Sequence, residues 1–187
     1  MRHNRGFGIQ SPSAFHFVTQ VLKEPLHYYS YEKIDRAAKA DGTQGRKYYR
    51  RLFRIANYFK PESIIIVGSR CNAAKTALVE ARRNAAITTI EDGDTAQLQA
   101  TLQAQTGAML IYIGECDNFA ICGNAAMEHA TGDTVVIIEG IQSETAKAMW
   151  WETAISSSRT VVTYDLYSAG ILLFDKEKQK QNYTLKM

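Results

Sequence analysis

The chain has 187 residues, 45% hydrophobic and 22% charged, with 12 Gly and only 3 Pro, a globular balance that excludes a disordered or collagen-like polymer. Lys and Arg number 22 against 19 Asp and Glu, and the resulting +3 is too small to demand a nucleic-acid partner without a concentrated patch. Three cysteines without zinc-ligand spacing argue against a secreted disulfide framework, and no apolar run approaches the roughly 18 residues of a membrane span, so a soluble cytoplasmic protein is expected.

The basic start, Met1 to Arg5, is followed by Ser11-Pro12-Ser13 and His16, which interrupt any apolar core of a signal peptide. Ser11 before Pro12 predicts a helix start, because the hydroxyl can accept a free backbone N–H and proline at the first helical position gives up a donor that has no partner there. Phe15, Val18 and Leu22 recur at helical spacing until Pro25. A second short helical piece follows Tyr28-Tyr29-Ser30-Tyr31, and residues 40–45 read as a loop. A third helix is predicted over Arg46 to Phe59, with Tyr48, Leu52, Ile55 and Phe59 on one face and Lys47, Arg50, Arg51 and Arg54 on another.

Beyond Pro61 short aliphatic runs alternate with longer alanine-rich segments, the pattern of buried strands joined by crossover helices. Strands are predicted at Ser63 to Val67, Ile87 to Ile90, Met109 to Ile113, Thr134 to Ile138 and Thr160 to Tyr164. Helices are predicted at Ala73 to Arg83, Thr95 to Gln105, Ala120 to Ala130 and Ser143 to Ile155. Gly170 to Phe174 and Asn182 to Lys186, separated by a short charged turn, suggest an antiparallel hairpin. The expected fold class is α/β, a doubly wound and mostly parallel sheet with antiparallel C-terminal strands. Residues 1–60 are expected to form a helical segment packed on the α/β domain of residues 61–187, the two making one structural unit.

Ligands of such sheets bind beyond the carboxyl ends of the strands, near the reversal in strand order. After the first strand, Gly68 permits a tight turn and the next helix offers free N–H groups to an acidic ligand. The phosphate-loop spacing fails there, because the lysine, Lys75, comes one residue late, and the Gly-x-Gly-x-x-Gly pattern fails at Arg70 and Ala73. After the second strand, Glu91 lies roughly 20 residues beyond that glycine, where a carboxylate can accept from two ribose hydroxyls. Asp92 and Asp94 serve more directly than Glu91 as helix-start charges. Glu115, Asp117 and Glu139 are the carboxylates of the third and fourth loops. They could hold a hard cation, although solvated loop charges are the commoner case, and no metal site is expected. His129 falls near a helix end remote from the strand tips, where a structural role is expected, and Cys116 in an acidic loop is a poor nucleophile.

Several stretches together carry a resemblance: Gly6-Phe7-Gly8-Ile9-Gln10-Ser11-Pro12, the tyrosines at 28, 29 and 31, Leu52-Phe53-Arg54, Tyr58-Phe59-Lys60-Pro61, Thr89-Ile90-Glu91, Trp151, Tyr164-Asp165-Leu166 and Gly170-Ile171. In this order they resemble the bacterial class I S-adenosylmethionine-dependent methyltransferase-like proteins that begin Gly-His-Gly-Ile-His-Ser-Pro-Phe. The resemblance runs nearly end to end and implies a Rossmann-like methyltransferase fold whose seventh strand is antiparallel. It also implies S-adenosylmethionine as cofactor, with Gly68, Ser69, Arg70, Glu91, Asp92 and Gly114 as the candidate binding residues.

Against the family motif acid-x-Gly-x-x-x-Gly, the acid position is Ile66 and the second glycine is Asn72, so Gly68 alone survives. The Asp-Gly after the third strand is Gly114-Glu115, the Asp-Asp after the fourth is Glu139-Gly140, and Gln142 stands where histidine is usual. The expected function is therefore a methyltransferase-like protein with a degraded cofactor site, a noncatalytic or weakly active pseudoenzyme serving as a binding module or one half of a homodimer. Two alternatives stay open: an active methyltransferase on an unidentified small-molecule acceptor, and an RNA-binding module built on the Lys47/Arg50/Arg51/Arg54 stripe with Tyr48 and Tyr49 beside it, the less expected of the two because such faces are usually just solvated. Trp150 and Trp151 cannot share a helix face, which predicts that one of them serves an interface.

Overall fold

A computed structural model describes residues 9–42, 45–68, 71–91 and 94–185. The helices are α1 (Pro12–His16), which runs into a π-turn at Phe17–Leu22, then α2 (Tyr31–Ala40), α3 (Arg46–Phe59), α4 (Asn72–Ala81), α5 (Thr95–Ala104), α6 (Phe119–His129) and α7 (Thr145–Ser156). The strands are β1 (Ser63–Val67), β2 (Ala86–Ile90), β3 (Met109–Ile113), β4 (Thr134–Glu139), β5 (Val162–Asp165), β6 (Ala169–Leu173) and β7 (Gln181–Thr184). They form one seven-stranded sheet in the order β2-β1-β3-β4-β6-β5-β7.

The central strands are buried along their whole length, as the unbroken runs Ser63-Ile-Ile-Ile-Val67 and Met109-Leu-Ile-Tyr-Ile113 require of strands covered on both faces. Alternation then divides the sheet. Ile64, Ile66, Leu110, Tyr112, Ile137 and Ile171 face a core shared with the π-turn, α2, α3 and α4. Ile65, Val67, Ile111, Ile113, Val136 and Ile138 face one shared with α5, α6 and α7. The chain thus winds outward from β1 over one face and inward over the other. The reversal falls between β1 and β3, which puts the loops after Val67 and Ile113 side by side.

Ser11 caps α1 as its residue type predicts, its hydroxyl accepting from the Ala14 amide at 3.4 Å. The regular helix expected as far as Pro25 gives way instead to the π-turn. Its wider turn keeps Phe17, Val18, Val21 and Leu22 all in the core and is closed by the Lys23 amide donating to Val18 O at 3.1 Å. The carbonyls at its end do not go unpaired, because Arg54 from α3 donates to Val21 O (2.6 Å) and Leu22 O (2.7 Å). At the far end of α3, Lys60 takes a left-handed conformation (φ 51°) and Pro61 ends the helix.

In the sheet, one expectation is corrected. The last two strands do not pair as a hairpin: β6 is antiparallel to both β4 and β5, while β7 lies parallel to β5. Both edges of β6 are already taken, and strands two places apart lie about 10 Å from each other, so the short segment after Phe174 can step over β5 to its free edge. The reversed strand is therefore the sixth in chain order. The two tryptophans differ in burial, Trp150 keeping part of its surface exposed. Trp151 is 1% exposed against Gly170, and Trp150 packs over Gly123 of α6 and donates from Nε1 to Asn124 Oδ1 at 2.9 Å.

Candidate functional site

The carboxyl ends of β1, β2, β3 and β4 bring Gly68, Glu91, Gly114 and Glu139 along one edge of the sheet. The Gly68 amide donates to Ile90 O (3.1 Å) and the Gly114 amide to Val67 O (2.9 Å), extending the ladders one residue beyond each strand. Gly68 sits at φ +118°, and a Cβ there would lie 2.6 Å from Glu115 O. The glycine is demanded twice, by its dihedral and by the closeness of the β3 loop. A Cβ on Gly114 would lie 2.8 Å from Cys71 Sγ, so the two loops at the reversal press together with no room for side chains on their facing sides. Of the other predicted binding residues, Ser69, Arg70 and Asp92 lie outside the described residues. Glu91 is exposed at the end of β2, next to Gly68.

At the N-terminus of α4, which the sequence suggests as open to an acidic ligand, one backbone amide is already taken. Asp41, delivered from the end of α2, accepts the Ala73 amide on Oδ2 at 2.7 Å. A carboxylate belongs at a helix N-terminus for reasons of charge and hydrogen bonding alike, and here the chain supplies its own. Ile66, at the position where the resemblance calls for an acid, is fully buried in the core with Ile64, Leu110 and Tyr112.

Beneath this edge lies a polar cluster not foreseen from the sequence. Tyr112, in the middle of the β3 aliphatic run, donates its hydroxyl to Glu139 Oε2 at 2.5 Å, and Tyr48 of α3 lies within hydrogen-bond reach of the Tyr112 oxygen at 3.4 Å. Tyr49 also bonds to the Glu139 carboxylate. Burial nonetheless raises the Glu139 carboxyl above its usual value of 4.5, opposed by the two phenols and by the charge of Lys147. Lys147 is 7% exposed, its Nζ 5.6 Å over the Phe119 ring. Cys71 sits beside the same carboxylate. Burial first, then the charges of Glu139, Asp41 and Glu115, push its thiol to about 12, so it stays protonated and is no nucleophile.

The acids of the third and fourth loops serve separate ends. Glu115 is exposed and Glu139 is held by phenols, and among the described residues no three His, Cys, Asp or Glu lie close enough together to hold a metal ion. Gln142 donates to Asp165 Oδ2 at 3.2 Å. Among the described residues no helix is long and apolar enough to cross a membrane.

In sequence, no protein-family model matches the chain and no curated relative is detected. Solved structures do match its fold. A methyltransferase of Podospora anserina, PaMTH1, bound to S-adenosylhomocysteine aligns with TM-score 0.58 at 12% identity, covering 88% of this chain and 96% of that one. The O-methyltransferase TomG of Streptomyces achromogenes, in complex with S-adenosylmethionine, gives 0.55 at 10%, covering 86% and 94%. An O-methyltransferase from Bacillus cereus with S-adenosylhomocysteine gives 0.51 at 11%, covering 86% and 97%. The chain therefore has the Rossmann-like fold of the methyltransferases. At such identities the likeness extends to the path of the backbone and leaves the chemistry of the strand-end loops to be argued from the residues themselves.

Proposed function

We propose that this protein is a methyltransferase-like binding module that has kept the fold and lost the use of the donor site, with no useful affinity for S-adenosylmethionine. The observation that carries this reading is the Asp41 carboxylate on the Ala73 amide. A methionine carboxylate entering the turn after β1 would meet an anion already seated at the helix N-terminus. The aliphatic Ile66 offers no partner to the ammonium that accompanies that carboxylate. The acid of the fourth loop, Glu139, is engaged by buried phenols instead of facing a ligand.

A second reading, an S-adenosylmethionine-dependent methyltransferase acting on a small molecule, draws on one observation. Glu91 remains exposed beside Gly68, where the hydroxyls of a ribose would be held. In that case Gly68, Ser69, Arg70, Glu91, Asp92 and Gly114 line the donor, and catalysis is by alignment of the methyl group with its acceptor. Calorimetry at neutral pH separates the readings. Titrating S-adenosylmethionine into folded wild-type protein should give no heat beyond dilution. Micromolar binding that disappears in Glu91→Ala would establish the enzyme reading instead.

A further inference from the structure

Between the chain leaving the π-turn and the adjacent face of α3 lies a cavity of about 430 Å³, whose walls include the basic stripe of α3. Lys23, Lys47, Arg50, Arg51 and Arg54 line it, and Glu24 is the carboxylate among the lining residues. The charges are not equally satisfied. Arg50 is matched, its guanidinium lying on both oxygens of Asp35 (3.0 and 2.5 Å) and over the Tyr31 ring at 4.8 Å. Glu24 accepts the Tyr28 hydroxyl at 2.9 Å. Arg54 is hydrogen-bonded, but to two carbonyls and the Tyr31 hydroxyl, all of them neutral, so among the described residues its positive charge has no carboxylate partner.

Arg51 is in the opposite state. Among the described residues it has no ion pair, and its Nε is buried without a hydrogen-bond partner. Burial and the adjacent charge of Arg54 both draw its pKa below the usual arginine value. A guanidinium held against a like charge, with a buried N–H unused, has a standing deficit that an anion would relieve. The lining also includes Leu26, 63% exposed, and His27, whose ring meets that of the buried Tyr31 edge-on at 5.4 Å.

We propose that this cavity is a binding site for a small phosphate monoester, its phosphate held by Arg51 and Lys47 and its organic part resting against Leu26 and His27. A phosphate offers oxygens to the fork of Arg51, supplies the counter-charge that Arg54 lacks, and fits a hollow where cations converge instead of following a track. The site does not depend on whether S-adenosylmethionine binds at the strand ends.

The test uses the whole chain in phosphate-free buffer of low ionic strength, titrated calorimetrically with inorganic phosphate and with phenyl phosphate, each against sodium chloride at equal ionic strength. Both anions should bind, phenyl phosphate the tighter, while chloride should not substitute. Arg51→Met should weaken both by about tenfold or more, as loss of a charge-assisted pair does. It should leave the unliganded melting temperature unchanged or higher, since a like charge has been removed. Lys47→Met, on the exposed rim, should weaken binding without altering the fold, and Lys178→Met, outside the cavity, should do nothing. Absence of binding at about 10 mM of either anion, or affinity unchanged in Arg51→Met, overturns the proposal. So does a single-stranded RNA that binds with a steep salt dependence and is not displaced by phenyl phosphate, which would make the basic face a nucleic-acid track.

Discussion

Glu139 shows how burial and hydrogen bonding compete over a single carboxyl. Its proton is held more tightly in the folded protein than at the usual 4.5, because burial penalises the anion by more than Tyr112, Tyr49 and Lys147 stabilise it. The folded state therefore binds more protons than the unfolded chain between the unfolded and folded pKa values of this group, and its contribution to stability falls as pH rises through that interval. Glu139→Gln should flatten this part of the stability-pH curve: thermal melts of variant and wild type should lie closest below pH 4.5 and diverge above it, with the variant the more stable. Tyr112→Phe should act oppositely at neutral pH, costing about 1.5–3 kcal/mol by urea denaturation, since it removes a hydrogen bond to a buried charged group. A melting curve for Glu139→Gln parallel to wild type at every pH would mean that the carboxyl is not desolvated. The places of Gly68 and Glu91 at the ends of β1 and β2 were legible in the sequence because each follows a short β-branched run of strand type. Asp41 was not, because its bond to Ala73 spans 32 positions and joins a loop residue to a helix with which it shares no local pattern.

Among the elements, β6 depends on one residue having no side chain. Gly170 lies under the buried indole of Trp151, and a Cβ there would come within 2.6 Å of Cη2. The ring is held in the core between α7 and the sheet and has no solvent side to retreat to. Gly170→Ala should therefore cost about 1–3 kcal/mol by overpacking. Combining it with Trp151→Phe should recover part of that loss, a double-mutant coupling that additive effects would refute. The strands β1, β3 and β4 could be read from sequence to within a residue because burial on both faces leaves an uninterrupted aliphatic run. The π-turn could not, since it shares the apolar spacing of an α-helix and differs in its backbone bonding, the Lys23 amide reaching back five residues to Val18 O, and in the donors that Arg54 supplies from α3 to its last carbonyls. Strand partners were likewise invisible: β6 and β7 look like a hairpin when read along the chain, and only occupation of both β6 edges excludes it.

At the scale of the molecule, the question is whether the helical front is an accessory or half of the core. Residues from the π-turn, α2 and α3 are continuous with the sheet: Phe17 rests its ring 4.8 Å from that of Tyr164, and Ile34, Leu52 and Ile55 are 3% exposed or less in the same cluster as Ile64, Ile66 and Ile171. Removing residues 1–60 would uncover that face of the sheet, although α4 would still cover a part. Phe17, Ile34, Leu52 and Ile55 contribute roughly 1.5–3 kcal/mol each through burial, together about as much as the 5–15 kcal/mol by which whole domains are stable. The segment 61–187 should therefore fail to unfold cooperatively. It should keep far-ultraviolet ellipticity from its helices while losing near-ultraviolet signal and binding a hydrophobic dye, or it should aggregate. A sharp two-state transition in that fragment would show the α/β part to be self-sufficient. The front would then be a cover laid on a finished domain, and Asp41, which reaches the strand ends from within it, would be free to leave the site it now fills.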